Sequence, residues 1–299
     1  MVDVTLYTDA ACPWAYSASP AFRVLEWRFG DQLTWRLVTI GLRDEVSPGA
    51  AQAYDPARSA ARQLFFRSRY GMPFGPTPKA RASATGRACR AVVAARLLYP
   101  GSEWRVLRAL QLAYFTSPLL LDDDEHIREA IRPVRELDAD AVVARLDDED
   151  VDRAYQDDRA EARHASGSAA ESQGKTSTTD GPVRFTAPTL VFESNGQRLV
   201  AGGWQPILAY DVLLANMNPS LRRTAPPQSP APLLGHFVDG LATAEVAALL
   251  ADGPDPVSDL EWAEQALLEL VAEGEAVRVP LGQDALWRLA KAPPSPRRG

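Results

Sequence analysis

Hydrophobic and polar residues alternate over 2–8, with Val2, Val4 and Leu6 on one face and Asp3, Thr5 and Tyr7 on the other, which is the two-residue period of a β-strand. Asp9, Ala10 and Ala11 follow, then Cys12, Pro13 and Trp14. Proline is favoured just inside a helix start, where the N–H it lacks would have no partner, so the strand is predicted to turn directly into a helix at Cys12. Phe22, Leu25 and Phe29 continue at helical spacing, Pro20 predicts a kink before that stripe, and Gly30 ends it. β-branched and aromatic residues over 32–40 predict a second strand. From 56 to 163 the pattern is helical throughout, with stripes such as Ala88, Ala91, Val92, Ala95 and Leu98, and Trp104, Leu107, Leu110 and Tyr114. The polar run 165–182 has the composition of a surface loop. Residues 189–193 and 197–201 then read as two short strands around Ser194-Asn195-Gly196, because Asn-Gly tolerates the positive φ of a tight hairpin. A helix over 206–217 follows.

Past this point the pattern changes. Residues 218–232 are proline-rich and read as a linker, and a second unit spans 233–299. Amphipathic helices are predicted over 243–250 and 260–272, then strands over 276–279 and 285–289 with a turn at Gly282. Helix, helix and two-strand wing make the silhouette of a small winged-helix-like α+β unit. From Leu234 onward, however, five basic side chains face eleven acidic ones, the wrong sign for contacts to phosphates. A packing or dimerisation module is the better expectation, with a homodimer as one form of it, and nucleic acid is not an expected partner. The whole chain, at a net charge of −7, points the same way.

Neither a leader of basic then apolar residues at Met1–Thr5 nor an apolar run of ~18 residues is present, so the expectation is a cytoplasmic protein that does not span a membrane. Two cysteines and the scattered His126, His164 and His236 do not suggest a metal site. Gly174-Lys175-Thr176 imitates the end of a phosphate-binding loop, but Ala169 stands where its first glycine belongs and no apolar strand precedes it.

The sharpest chemical signal is Cys12-Pro13-Trp14-Ala15. A thiolate at a helix N-terminus is stabilised by the helix dipole and by unpaired N–H groups, which predicts an acidified, nucleophilic Cys12. The alternative is a structural cysteine that happens to precede a helix. The second signal is Thr186-Ala187-Pro188-Thr189, just before the hairpin. Cys-Pro-Trp after the first strand, a long helical insert and an X-Pro-Thr step opening the third strand together resemble the DsbA-like family of thioredoxin-fold proteins. The fold class expected is therefore α/β: a thioredoxin fold over 1–217 with a helical insertion at about 56–163. The resemblance implies that Cys12 is the nucleophile, that the Ala187–Pro188 bond is cis, and that the Ala187 backbone is where a thiol or peptide substrate pairs. Pro13 and Trp14 would shape the same cleft.

The sequence departs from dithiol members at Ala15, where the second cysteine of Cys-X-X-Cys would stand. A lone thiol forms mixed disulfides but has no local partner to resolve them. The pattern is also similar to kappa-class glutathione transferases and hydroxychromene-carboxylate isomerases, which carry serine at the Cys12 position and hold glutathione with polar residues after the hairpin. Gly202-Gly203-Trp204-Gln205-Pro206 does not match that stretch. The expectation is a monothiol, thiol-dependent oxidoreductase acting on a small-molecule or protein disulfide. A low-molecular-weight thiol would be its co-substrate: glutathione, or the mycothiol common where genomes have this Ala- and Arg-rich composition. A redox-sensing regulator or interaction protein, and a small-thiol-dependent transferase or isomerase, are the alternatives. Tyr16 and Phe74 are candidates either for a substrate pocket or for the core. Cys89 sits beside the apolar stripe of its helix, as a packed structural thiol or, alternatively, a resolving one.

Overall fold

The computed structural model describes residues 1–179, 181–251 and 260–290. The chain opens with β1 (Val2–Thr8), α1 (Pro13–Ser17), α2 (Ser19–Phe29) and β2 (Leu33–Thr39). A helical stretch follows: α3 (Pro48–Gln52), α4 (Pro56–Tyr70), α5 (Gly86–Leu98), α6 (Glu103–Thr116), α7 (Asp124–Ile131), α8 (Ala139–Ala144) and α9 (Glu149–Ala162). Next come α10 (Ala169–Ser172), β3 (Thr176–Ser177), β4 (Arg184–Phe185), β5 (Thr189–Ser194), β6 (Gln197–Gly202) and α11 (Ile207–Met217).

Four strands form one sheet in the order β2-β1-β5-β6, with β1 parallel to β2 and antiparallel to β5. Being internal, β1 is buried along its whole length except at Asp3, more than simple alternation predicts. Val4 and Leu6 pack with Val24, Leu25 and Phe29 of α2, and Tyr7 with Ala162 of α9 and Phe185 of β4. Full burial of a side chain such as Leu25 is worth about 1.5–3 kcal/mol, so the α2 stripe alone fixes this helix to the sheet. The expected kink falls at Ala18, which caps α1 and precedes α2. In the hairpin, Ser194 pairs with Gln197, so Asn195 (φ 51°) and Gly196 (φ 77°) alone make the turn.

Two segments differ from the sequence expectation. Residues 71–85 interrupt the helical insert: Gly71 ends α4 in the left-handed region, and Pro73, Pro76 and Pro78 supply no N–H for a helix. The polar run expected as a surface loop instead holds α10, capped by the Ser168 side chain, and the two-rung β3–β4 ladder, because Ala165 and Ala170 find apolar cover.

The C-terminal part comprises α12 (Ala231–His236), β7 (Leu241–Ala242), α13 (Thr243–Leu250), α14 (Leu260–Ala272), β8 (Ala276–Leu281) and β9 (Asp284–Leu289), its three strands ordered β7-β9-β8. Every residue of α13 is buried, and the helix packs between α2 and α14. Leu249, Leu267 and Trp287 belong to the same hydrophobic core as Leu6 and Leu25. At the centre of this junction Glu245 is fully buried and accepts from both terminal guanidinium nitrogens of Arg108 at 2.5 and 2.6 Å, the Ser19 hydroxyl at 2.5 Å and the Ala242 N–H at 2.8 Å. The proline-rich stretch runs along the end of α2, held by Thr224 N–H on Arg28 O, Trp27 Nε1 on Ala225 O and a two-way bond between Gln32 and Arg222.

Among the described residues no helix is long and apolar enough to cross a membrane, and no group of three or more His, Cys, Asp or Glu could hold a metal ion.

Candidate active site

Strand β1 delivers Cys12 to the start of α1, where it is the N-cap in an extended conformation with Pro13 at the first helical position. Its own N–H donates to Asp9 O at 3.3 Å, and its carbonyl accepts the Tyr16 N–H at 3.0 Å. From the far side of β1 comes the segment before β5, which makes a cis Ala187–Pro188 peptide. The Cys12 thiol donates to the Ala187 carbonyl at 3.2 Å, so residues 175 positions apart meet at the sulfur. Thr189 ties this segment down, donating to Thr186 O at 2.6 Å and accepting from Gly203 N at 3.4 Å.

The thiol is not acidified, contrary to the expectation from its helix start. Burial pushes the Cys12 thiol up to about 12, and the charge of Asp9 adds to the rise, whereas the N–H groups of Ala15 and Trp14 and the charge of Arg184 pull the other way without prevailing. The short helix α1 supplies its N–H groups, but Cys12 is only 5 % exposed and its anion would lose nearly all contact with water. Alkylation by iodoacetamide is therefore expected to be slower than for free cysteine at neutral pH and to rise about tenfold per pH unit with no plateau in the neutral range. A reactivity midpoint below that of free cysteine would contradict the burial. The linkage has a definite sign: a thiol held protonated in the fold stabilises it below its ordinary value near 9, and that contribution is lost as pH rises toward about 12.

The remaining candidates divide. Pro13 is partly exposed and Trp14 is 40 % exposed, its ring edge-on to Phe66 and Tyr70 at 5.0 and 5.7 Å; Tyr70 in turn lies 4.9 Å from Trp204. Trp14, Tyr70 and Trp204 thus form an aromatic row that starts two residues after Cys12, of which only Trp14 was expected. Tyr16 and Phe74 do not line a substrate surface. Each is 1 % exposed; they meet edge-on at 5.1 Å, Tyr16 stacks on Phe115 at 4.7 Å, and the Tyr16 hydroxyl is spent on Pro73 O at 2.8 Å. Six-membered rings at this spacing complete the core behind α1.

Asp9 is the residue that sequence reading passed over. It is fully buried, and its carboxylate accepts Ala11 N–H at 2.9 Å, Leu42 N–H at 2.8 Å and the Thr85 hydroxyl at 2.9 Å, with the Cys89 thiol at 3.7 Å. Burial raises its pKa while those four donors lower it. Asp9 thereby ties the loop that carries Cys12 to the loop after β2 and to the start of α5. A charged residue closing an apolar strand three positions before the cysteine was the available signal. Cys89 is fully buried, with a thiol pushed well above its ordinary range by burial first and by Asp9 second, and it lies within the core.

A cysteine at a strand-to-helix turn, facing a cis X-Pro segment across a β2-β1-β5-β6 sheet, defines a thioredoxin-fold thiol site. The chain belongs to the DSBA-like thioredoxin domain family, which matches residues 3–166. Among solved structures it is similar to a Nitrosomonas europaea protein provisionally assigned as a protein disulfide isomerase (16% identity, TM-score 0.54, covering 72% of this chain and 96% of that one). It is similar also to a probable DsbA oxidoreductase of Streptomyces coelicolor (18% identity, TM-score 0.53, covering 74% and 91%). At these identities the likeness is one of fold. No curated protein matches the chain in sequence.

Proposed function

We propose that this protein is a monothiol-disulfide oxidoreductase in which Cys12 alone carries the chemistry. The Cys12 thiolate attacks one sulfur of a disulfide R–S–S–R′, forming Cys12–S–S–R and releasing R′ as its thiolate. A second, external thiolate then attacks the mixed disulfide, a new disulfide leaves with R, and Cys12 regains its proton. The cycle exchanges thiols and disulfides with no net redox change and needs a small thiol, glutathione or mycothiol, as co-substrate. The observation that carries this reading is the 3.2 Å contact of the Cys12 thiol with Ala187 O beside Pro188, with alanine at position 15. The Ala187 backbone and Pro188 support an incoming chain, and Pro13 and Trp14 form the partly open wall on which apolar parts of the substrate rest.

A high thiol pKa makes the resting enzyme slow to ionise, but the thiolate once formed is the stronger nucleophile, since nucleophilicity rises with pKa. The unit over 233–299 we read as winged-helix-like and as serving packing, in keeping with the order of its described strands, its excess of acidic residues and its share in the core.

Turnover of bis(2-hydroxyethyl) disulfide with added small thiol is the test. Cys12→Ser is expected to lose at least ~100-fold, as removal of a nucleophile does, and Cys89→Ala to keep wild-type turnover. Unchanged turnover in Cys12→Ser, or loss in a folded Cys89→Ala, would overturn the assignment.

A further inference from the structure

A cavity of about 570 Å³ lies against α1 and is lined chiefly by β1, α2 and α6. Its deep end is formed by Leu6, Thr8, Ala15, Leu107, Arg108 and Gln111, all buried, and its exposed rim residues are Gly30, Asp31, Gly101 and His236. Trp35 and Trp104 stand edge-on in its wall at 5.8 Å, with Phe22 beside them. The volume falls within the range of small-molecule sites, and the composition is theirs too: aromatic walls with a few convergent polar groups.

The polar groups decide the charge of the occupant. Arg108 is neutralised by Glu245 at 2.5 Å, and Arg23 by Glu26 at 2.6 Å, so each guanidinium on the wall already has a carboxylate. Asp31 adds a negative charge at the rim. An anion would meet no unspent cation, and a cation would compete with arginines for acids they already hold. Gln111 donates through Nε2 to Asp9 O at 3.4 Å, which leaves its amide oxygen an acceptor, and Thr8 lies on the same lining. We infer that this cavity binds a neutral, flat aromatic molecule carrying one hydrogen-bonding group, whose ring lies against the Trp35–Trp104 wall and Leu107 and whose polar group meets the Thr8–Gln111 end. The site is separate from the thiol chemistry and does not depend on it, although Ala15 of α1 forms part of its floor.

The test uses the full chain and 1-naphthol, followed by calorimetry and by quenching of tryptophan fluorescence. Saturable binding of one equivalent is expected. Leu107→Trp, which fills the lumen, should abolish it, and Trp104→Ala, at a partly exposed position where the fold tolerates truncation, should weaken it by about tenfold or more, the loss of one aromatic wall. Thermal unfolding of both variants identifies folded protein, and Trp104→Ala decides if Leu107→Trp does not fold. The carboxylate analogue 1-naphthoate should bind at least about tenfold more weakly than 1-naphthol, since its charge finds no free partner. No saturable binding to the wild type, or unchanged binding in the folded variants, would overturn the site; equal or tighter binding of 1-naphthoate would overturn the neutral ligand.

Discussion

Ala15→Cys is expected to form a disulfide with Cys12 on mild oxidation, and the reduced variant to reduce about one equivalent of a protein disulfide without added small thiol, its own two thiols being oxidised to that disulfide. Cys12 caps α1 and Ala15 stands one turn along it, with its N–H among the groups that reach the Cys12 sulfur. Both residues pack in one apolar cluster with Ala187, so a second sulfur at position 15 would stand on the side of α1 where the mixed disulfide forms. Intramolecular attack then replaces the external thiol, and effective molarities for well-oriented groups exceed any attainable thiol concentration by orders of magnitude. Peptide mapping under non-reducing conditions and the yield of reduced substrate per enzyme in the absence of small thiol check this, the wild type stopping at the mixed disulfide. A variant that folds but forms no disulfide between Cys12 and the introduced thiol would refute the geometry of the turn.

Glu245→Gln is expected to cost about 3–5 kcal/mol of stability, the range seen when one partner of a buried ion pair is removed, measured by urea unfolding. The loss comes from Arg108, which would keep its charge beneath α13 with neutral groups, the new amide, Ser19 and Gly240 O, in place of its counter-ion. Burial alone would raise the Glu245 pKa, but Arg108 at 2.5 Å, then Arg23 and Ser19, hold it at about 2. A carboxyl held low in the fold stabilises it above its ordinary value near 4.5, and the contribution is lost as pH falls through about 2. The double variant Arg108→Met, Glu245→Leu should recover most of the loss, because an apolar pair of similar volume needs no desolvation of charge. If Glu245→Gln unfolds at the wild-type urea midpoint, the pair does not hold the C-terminal unit.

Local chemistry made much of the fold legible. Alternation marked β1, Asn195-Gly196 marked the turn of the β5–β6 hairpin, and apolar stripes marked α13 and α14 to the residue. Cys12 and Pro188 were found through short motifs, although their encounter across the sheet is a property of the fold. What escaped was set by distant partners. The Arg108–Glu245 pair joins positions 137 apart, and nothing near either residue signals it. Tyr16 and Phe74 look alike in sequence whether they line a cleft or fill a core, and only Phe66 and Phe115 closing over them decide the matter. The thiol pKa was misjudged for the same reason: the helix start is visible in the sequence, and the burial that outweighs it is not. In the polar run 165–182, glycine and serine content hid two short elements that form only because the rest of the molecule covers Ala165 and Ala170.

The central claim, a single reactive thiol at Cys12, is tested most directly by intact-mass spectrometry of the folded chain after incubation with a small-molecule disulfide at mildly alkaline pH. The account predicts one adduct, mapped to the peptide of Cys12, absent from Cys12→Ser and reversed by excess thiol, with Cys89 unmodified. An adduct on Cys89, or a Cys12–Cys89 disulfide as the main product, would contradict it.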